Sequence, residues 1–318
     1  MKNHTLTTTA ILGVLSMACA GGSLSEPVGL GASSTYLCEG CSIWDVKVVG
    51  NTAYVADLKR GLVILDVTDP TQPTEVSVTE VEQVNALDAS GSHVFVGASM
   101  RVAAIDATDP ANPSELSTLS TSAGTYGVDI HNGMLFSGGD LIDISNPASP
   151  QKKSTIFQGS TSSGYAISNN IVICARQSGG VSLHDISDPA APTDVGTLEM
   201  SYATEVVVKD NIAFIGDYND KKVFLVDIST PASPTIVGEA LDAGGSATTV
   251  EAYGDYLVIG SSYGGIQVFD ITDPMNPIQK WTAKPDGMKT YKLDANDMGV
   301  FVAAQEGGLF FIPWDRGA

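Results

Sequence analysis

Histidine and cysteine are scarce in this chain, four of each in 318 residues, and acids outnumber basic residues 36 to 16. So few cysteines exclude a disulfide-dense scaffold, and any cysteine pair is left short of further ligands for a zinc site. His93, His131 and His184 fall in different predicted strands, without the partner spacing that a metal or a nucleophile–base pair would need. They read as structural or surface residues. The acidic balance excludes nucleic acid as a partner, because such a surface repels phosphate. Beyond the N-terminal region no apolar period of 3.6 is sustained, so helix should be nearly absent.

What is present is a repeated turn. It reads DVTDPTQP from Asp66, DATDPANP from Asp106, DISNPASP from Asp143, DISDPAAP from Asp185, DISTPASP from Asp227 and DITDPMNP from Asp270. The steps between these aspartates are 40, 37, 42, 42 and 43 residues, a period that suits the blade of a β-propeller. Ten of the acids lie inside the motif, where short carboxylates bond nearby backbone N–H groups. Much of the acidity is therefore architecture.

One repeat shows how a blade is written. Trp44 to Val49 alternates, Gly50-Asn51 turns the chain, and Ala53 to Ala56 returns. A loop then leads to the apolar run Leu62–Leu65, which suits a strand covered on both faces. Pro70 sits at a turn position, and Pro73 opens a fourth, outer strand where no ladder donor is needed. The stretch AYVADLKRGLVILDVTDPTQP from Ala53, with AFIGDYNDKKVFLVDISTPASP from Ala213 and LVIGSSYGGIQVFDITDPMNP from Leu257, resembles the LVIVD repeat family over about residues 40–312. The resemblance implies a propeller of exported or surface-attached proteins, mostly without assigned activity. Sialidase-type Asp boxes, WD dipeptides and FG-GAP calcium repeats are absent as repeated features.

Six motif copies end six blades. Tyr291 to Ile312 repeats the first three strands, and the motif then fails to return. Because Pro27-Val28-Gly29 resembles the outer-strand starts at 192–196 and 234–238, residues about 27–36 are expected to supply the missing outer strand. The expectation is an all-β, seven-bladed propeller of four-stranded antiparallel blades, closed by its N-terminus, in one domain over 27–318. Residues 1–18 read as a secretory signal too short to span a membrane. Leu15-Ser16-Met17-Ala18-Cys19 resembles a bacterial lipobox, which implies that Cys19 is lipidated, with 19–26 as a short tether. The expected address is outer-membrane-anchored or cell-surface, otherwise periplasmic or extracellular, with membrane contact through the lipid alone and the protein a monomer.

Alignment of the repeats places Trp44, Asn85, Tyr126, Thr204, Thr248 and Tyr291 at the entrance to the innermost strand. Asp57, Arg176, Asp217 and Ser261 follow the second strand on the same face. Trp44, Asp57, Arg60, Tyr126, Arg176, Asp217, Tyr218, Tyr263 and Tyr291 are the candidate ligand-binding rim, with capping of the blade cores as the competing role for its aromatics. Further along the innermost strand the aligned position reads Lys47, Asp88, Asp129, Ala166, Val207, Glu251 and Asp294. Asp88, Asp129, Glu251 and Asp294 could line a channel and hold Ca²⁺, or could be solvated acids in a water-filled bore. No cofactor is required. Cys38 and Cys41 are expected to form a disulfide, and Cys174 to be a buried free thiol. Gly260-Ser261-Ser262-Tyr263-Gly264 fits G-x-S-x-G but sits in a strand-to-strand loop. No catalytic residue is assigned. The leading expectation is a noncatalytic surface protein that binds an envelope or extracellular protein, a glycan or a small molecule. The alternative is a secreted hydrolase or lyase using the channel acids, with or without a divalent metal.

Overall fold

The computed structural model describes residues 34–37, 40–157 and 163–314. Within them the chain forms 28 strands, β1 to β28, in seven four-stranded antiparallel sheets. Blade 1 is built from β2 (Ile43–Val49), β3 (Thr52–Asp57), β4 (Gly61–Asp66) and β5 (Thr74–Thr79), paired in chain order. Blades 2 to 6 repeat this order from β6 (Val84–Ser90) to β25 (Ile278–Ala283). Blade 7 breaks it: β26 (Lys292–Ala295), β27 (Gly299–Ala303) and β28 (Leu309–Pro313) receive β1 (Ser34–Tyr36) as their fourth strand. Thr35 pairs with Phe310 and Tyr36 with Leu309, so the N-terminal segment closes the ring. Pro27, Val28 and Gly29 lie outside the described residues, as do the signal, Cys19 and the tether.

Burial follows position within the blade. The second strand is almost wholly buried, as in Ala53–Asp57, while the outer strand Thr74–Thr79 alternates between exposed and half-buried. The core is seven separate apolar clusters, one at each junction between neighbouring blades. Sheets covered on both faces need apolar side chains on both, hence the continuous Leu62–Leu65 run.

The repeated motif forms two successive side-chain-capped turns. Asp66 Oδ1 accepts from Thr68 N at 2.8 Å and Asp69 Oδ1 from Thr71 N at 3.0 Å. The same pair recurs at Asp106 and Asp109, at Asp185 and Asp188, and at Asp270 and Asp273. In the third copy Asn146 replaces the second aspartate and caps Ala148 N in the same way. Hydrogen bonds from Thr68 hold the exposed Asp66 carboxyl below its ordinary value, and those from Lys153 and Ser145 hold Asp143 down to about 2. The motif also ties blades together. Ser77 Oγ donates to Pro110 O at 2.6 Å and Ser117 Oγ to Pro147 O at 2.6 Å, each reaching the next blade's turn.

Candidate functional site

The innermost strands carry an irregularity that sequence alignment does not reveal. Their register with the second strand shifts at Ile43/Asp45, Val84/Ala86, Ala203/Val206 and Ala247/Thr249. The extra residues are Trp44, Asn85, Thr204 with Glu205, and Thr248. A bulge re-aims the side chains at the mouth of a strand. Here Thr204 and Thr248 reach the next blade, and Glu205 faces the channel.

All seven aligned positions, from Lys47 round to Asp294, line one central cavity of about 320 Å³. Asp45, Glu205 and Lys292 join them, giving six carboxyls and two lysines on the wall. Several of these acids bind backbone. Asp294 Oδ2 accepts from Val48 N at 2.9 Å, Asp45 Oδ2 from Leu87 N at 3.0 Å and Asp88 Oδ2 from Ile130 N at 2.8 Å, each reaching the neighbouring blade. The edge of an innermost strand leaves N–H groups unpaired, and these carboxylates satisfy them. Lys47 Nζ lies 2.9 Å from Asp294 Oδ1, and Lys292 pairs with Glu205 across the bore. Gly164 makes room for that second pair, because a Cβ there would overlap the Glu205 carboxylate.

Asp129 and Glu251 differ from the rest, with no hydrogen bond or ion pair among the described residues. Burial pushes Asp129 up to about 7 against the attraction of Lys292, with Asp88 and Asp45 adding to the rise. Glu251 is pushed up to about 8 by burial against Lys47, with Asp294, Asp129 and Asp88 adding. Burial also raises Asp45 to about 6, opposed by Lys292 and its two backbone bonds. Among the described residues no group of three or more His, Cys, Asp or Glu side chains is placed to hold a metal ion. Asp88 and Asp294, two of the four calcium candidates, instead spend oxygens on neighbouring backbone.

Above the channel lies a second cavity of about 340 Å³, walled by Tyr126, Tyr202, Tyr218 and Tyr291. Gln177, Thr204 and Thr248 add polar edges, and Lys292 lines both this mouth and the channel beneath. The rings of Tyr202 and Tyr218 meet at 5.9 Å and 58°, forming a corner. Thr204 Oγ1 bridges to Ala247 O at 3.1 Å and Thr248 Oγ1 to Thr290 O at 3.1 Å, so the floor is stitched from blade to blade.

Of the expected rim, Tyr126, Tyr218 and Tyr291 are brought together here. Trp44 packs on Tyr291 at 4.6 Å and donates from Nε1 to Ser42 Oγ at 3.0 Å, beside the cavity rather than in its wall. Asp57 and Asp217 are corrected: both are fully buried and offer no rim carboxylate. Asp57 Oδ1 caps Ser42 N and Lys59 N. Asp217 accepts from Tyr202 N at 2.9 Å and from Asn219 N and Asp220 N at 3.0 Å, fastening the two loops that carry Tyr202 and Tyr218. Arg60 is also corrected, since it binds Glu75 at 2.7 Å and the Tyr36 hydroxyl at 3.2 Å, pinning the closing strand to blade 1. Burial, with Glu75 beside it, pushes the Tyr36 hydroxyl up to about 12. Arg176 stacks over Phe157 at 4.8 Å, and Tyr263 stands apart beneath Lys289. Tyr202 was missed because it precedes the strand entrance on which the repeats align.

Two further arrangements fall outside the expectations. His184 lies between Ser182 Oγ at 2.8 Å and Asp194 Oδ1 at 2.7 Å, the order of a nucleophile–base–acid relay. Ser182 is only 2% exposed and lines neither cavity, so the relay has no room for substrate. Cys41 is disulfide-bonded, while Cys174 is a buried free thiol raised by desolvation. Cys38, its expected partner, lies outside the described residues.

The ring of seven antiparallel blades around an acid-lined bore is a seven-bladed β-propeller. The chain carries LVIVD repeats, which match at residues 40–80, 137–156, 201–242 and 244–283. No curated protein matches the sequence. Among solved structures the fold is similar to U3-55K (12% identity, TM-score 0.72, 90% of this chain and 100% of that one). It is also similar to a chain of the mitotic checkpoint complex (14%, 0.71, 95% and 99%) and to the computationally designed Ika8 protein (19%, 0.63, 86% and 83%). At these identities the likeness concerns the fold alone.

Proposed function

We propose that this chain is a noncatalytic, exported binding protein, held at the cell surface through lipidated Cys19, that captures its ligand at the tyrosine mouth. One observation carries the reading: four tyrosines from three blades converge on a single cavity, while most channel carboxyls are spent on backbone or lysine. A concave, largely aromatic pocket with a few polar edges is the usual form of a ligand site. The disulfide at Cys41 suits an oxidising compartment. Protein, glycan and small molecule remain the ligand classes under this reading. The secreted hydrolase or lyase stands second, supported by Asp129 and Glu251, unpaired acids poised near neutrality.

The test is a thermal-shift screen of sugars, metabolites and metals against wild type and Tyr202→Ala. A hit that vanishes in the variant supports the mouth. A hit that turns over, and is spared by Tyr202→Ala but lost in Glu251→Gln, would replace it with the hydrolase or lyase. Mass spectrometry of the native N-terminus should find acyl chains on Cys19, and an unmodified Cys19 would remove the anchor.

A further inference from the structure

The mouth and the channel beneath it differ in chemistry, and together they limit the charge of what can enter. The walls of the mouth are tyrosine rings, whose faces carry negative quadrupole charge. The one cation lining it, Lys292, is already committed: its Nζ donates to Ser163 O at 2.9 Å and pairs with Glu205. Below, six carboxyls face two lysines, and the second lysine, Lys47, is paired with Asp294. Burial favours the protonated form of Asp129 and Glu251. Asp45 and Asp88, however, bond only to backbone N–H groups and feel Lys292 and Lys47 without a direct ion pair, so the bore keeps an excess of negative charge. A bore with low-dielectric walls and one dominant sign of charge projects its field out through the opening. The Tyr291 hydroxyl responds to that field, its proton held more tightly by burial first and then by nearby Asp45.

An anion at this opening would meet a repulsive field and no unpaired cation among the described residues. A polyhydroxylated ligand would find polar partners at the edges, but Thr204, Thr248 and Lys292 already bond to backbone or Glu205. A compact cation is attracted twice, by the ring faces and by the channel. Each ring face that the cation meets adds to the attraction, more as water is excluded. The volume of about 340 Å³ lies at the small end of ligand pockets and suits a compact head group. We infer that the mouth binds a small organic cation, an alkyl-substituted ammonium group seated among Tyr126, Tyr202, Tyr218 and Tyr291 with its charge toward the channel. The inference rests on the mouth being the binding site and adds the class of ligand.

The experiment is calorimetric titration of the full chain with choline and with 3,3-dimethylbutan-1-ol, in which carbon replaces the charged nitrogen. Choline should bind, and the neutral isostere should bind about tenfold more weakly or not at all. Tyr202→Ala should remove choline binding, whereas Tyr202→Phe, which keeps the ring, should hold it within about threefold. Equal affinity for the two compounds, or no binding of choline, overturns the cation assignment. The two readings fail separately. A neutral ligand lost in Tyr202→Ala would sink only the charge, while a choline response unchanged by Tyr202→Ala would sink the mouth itself.

Discussion

Along the channel the blades are joined in two ways. At the junctions of blades 7 and 1, 1 and 2, and 2 and 3, a carboxylate accepts the neighbour's backbone N–H, through Asp294, Asp45 and Asp88. At the junctions of blades 5 and 6, and 6 and 7, a threonine hydroxyl donates to the neighbour's carbonyl, through Thr204 and Thr248. Both devices satisfy the open edge of an innermost strand, yet only the first deposits charge. The two arcs therefore divide the opening. Carboxylates make the bore acidic, and the neutral threonine arc forms part of the tyrosine mouth. The two devices come from different aligned positions, the threonines at the strand entrance and Asp88 and Asp294 three residues further on, with Asp45 between them.

The largest effect is expected at the seam of the ring, where the carboxylate arc begins. Tyr36→Ala removes a buried ring and two polar contacts from a strand of three residues. Chemical denaturation should show a loss of about 3–5 kcal/mol. The next comparison sets the arcs against each other. Asp45→Ala strands the buried Leu87 and Val46 N–H groups and should cost about 1–3 kcal/mol, with Asp45→Asn milder because one acceptor remains. Thr248→Ala removes one hydroxyl donor from the Gly260 and Thr290 carbonyls, strands no N–H group, and should cost about 1 kcal/mol or less. Equal costs would erase the distinction between arcs.

A smaller effect concerns protons. Asp129 and Glu251 face Asp45, Lys47, Asp88, Glu205, Lys292 and Asp294 around the bore, and their values stand near 7 and 8. Carboxyls of an unfolded chain ionise near pH 4, so between about pH 5 and 8 the folded form holds protons that the unfolded chain has released. Their contribution to stability is complete below the unfolded value and is lost as pH rises through 7 to 8. The melting temperature should fall by a few degrees from pH 6 to pH 9, and Glu251→Gln should flatten the slope. A melting temperature that rises over this range would reverse the assignment.

The ring itself was legible in the sequence. The motif spacing gave the blades, and the failure of the motif to return after Ile312 implied closure by the N-terminus, as β1 shows. The channel positions aligned correctly because the innermost strands share one period. The mouth was half legible: Tyr126, Tyr218 and Tyr291 were visible, but Tyr202 sits in a loop outside the aligned register. Glu205 and Lys292 meet across the bore from blades 5 and 7, a relation no spacing encodes. Asp57 and Asp217 looked like loop carboxylates at a rim. Their burial depends on loops folding back over them, with backbone N–H groups as partners.

The central claim is that channel carboxylates latch one innermost strand to the next. Amide hydrogen exchange at Val48, Leu87 and Ile130 reads this directly, since these N–H groups lie on strand edges facing the bore. The account predicts protection comparable to that of strand-centre amides such as Val55, with Leu87 alone released in Asp45→Ala. Exchange of all three on the timescale of exposed edge amides in the wild-type chain would contradict it.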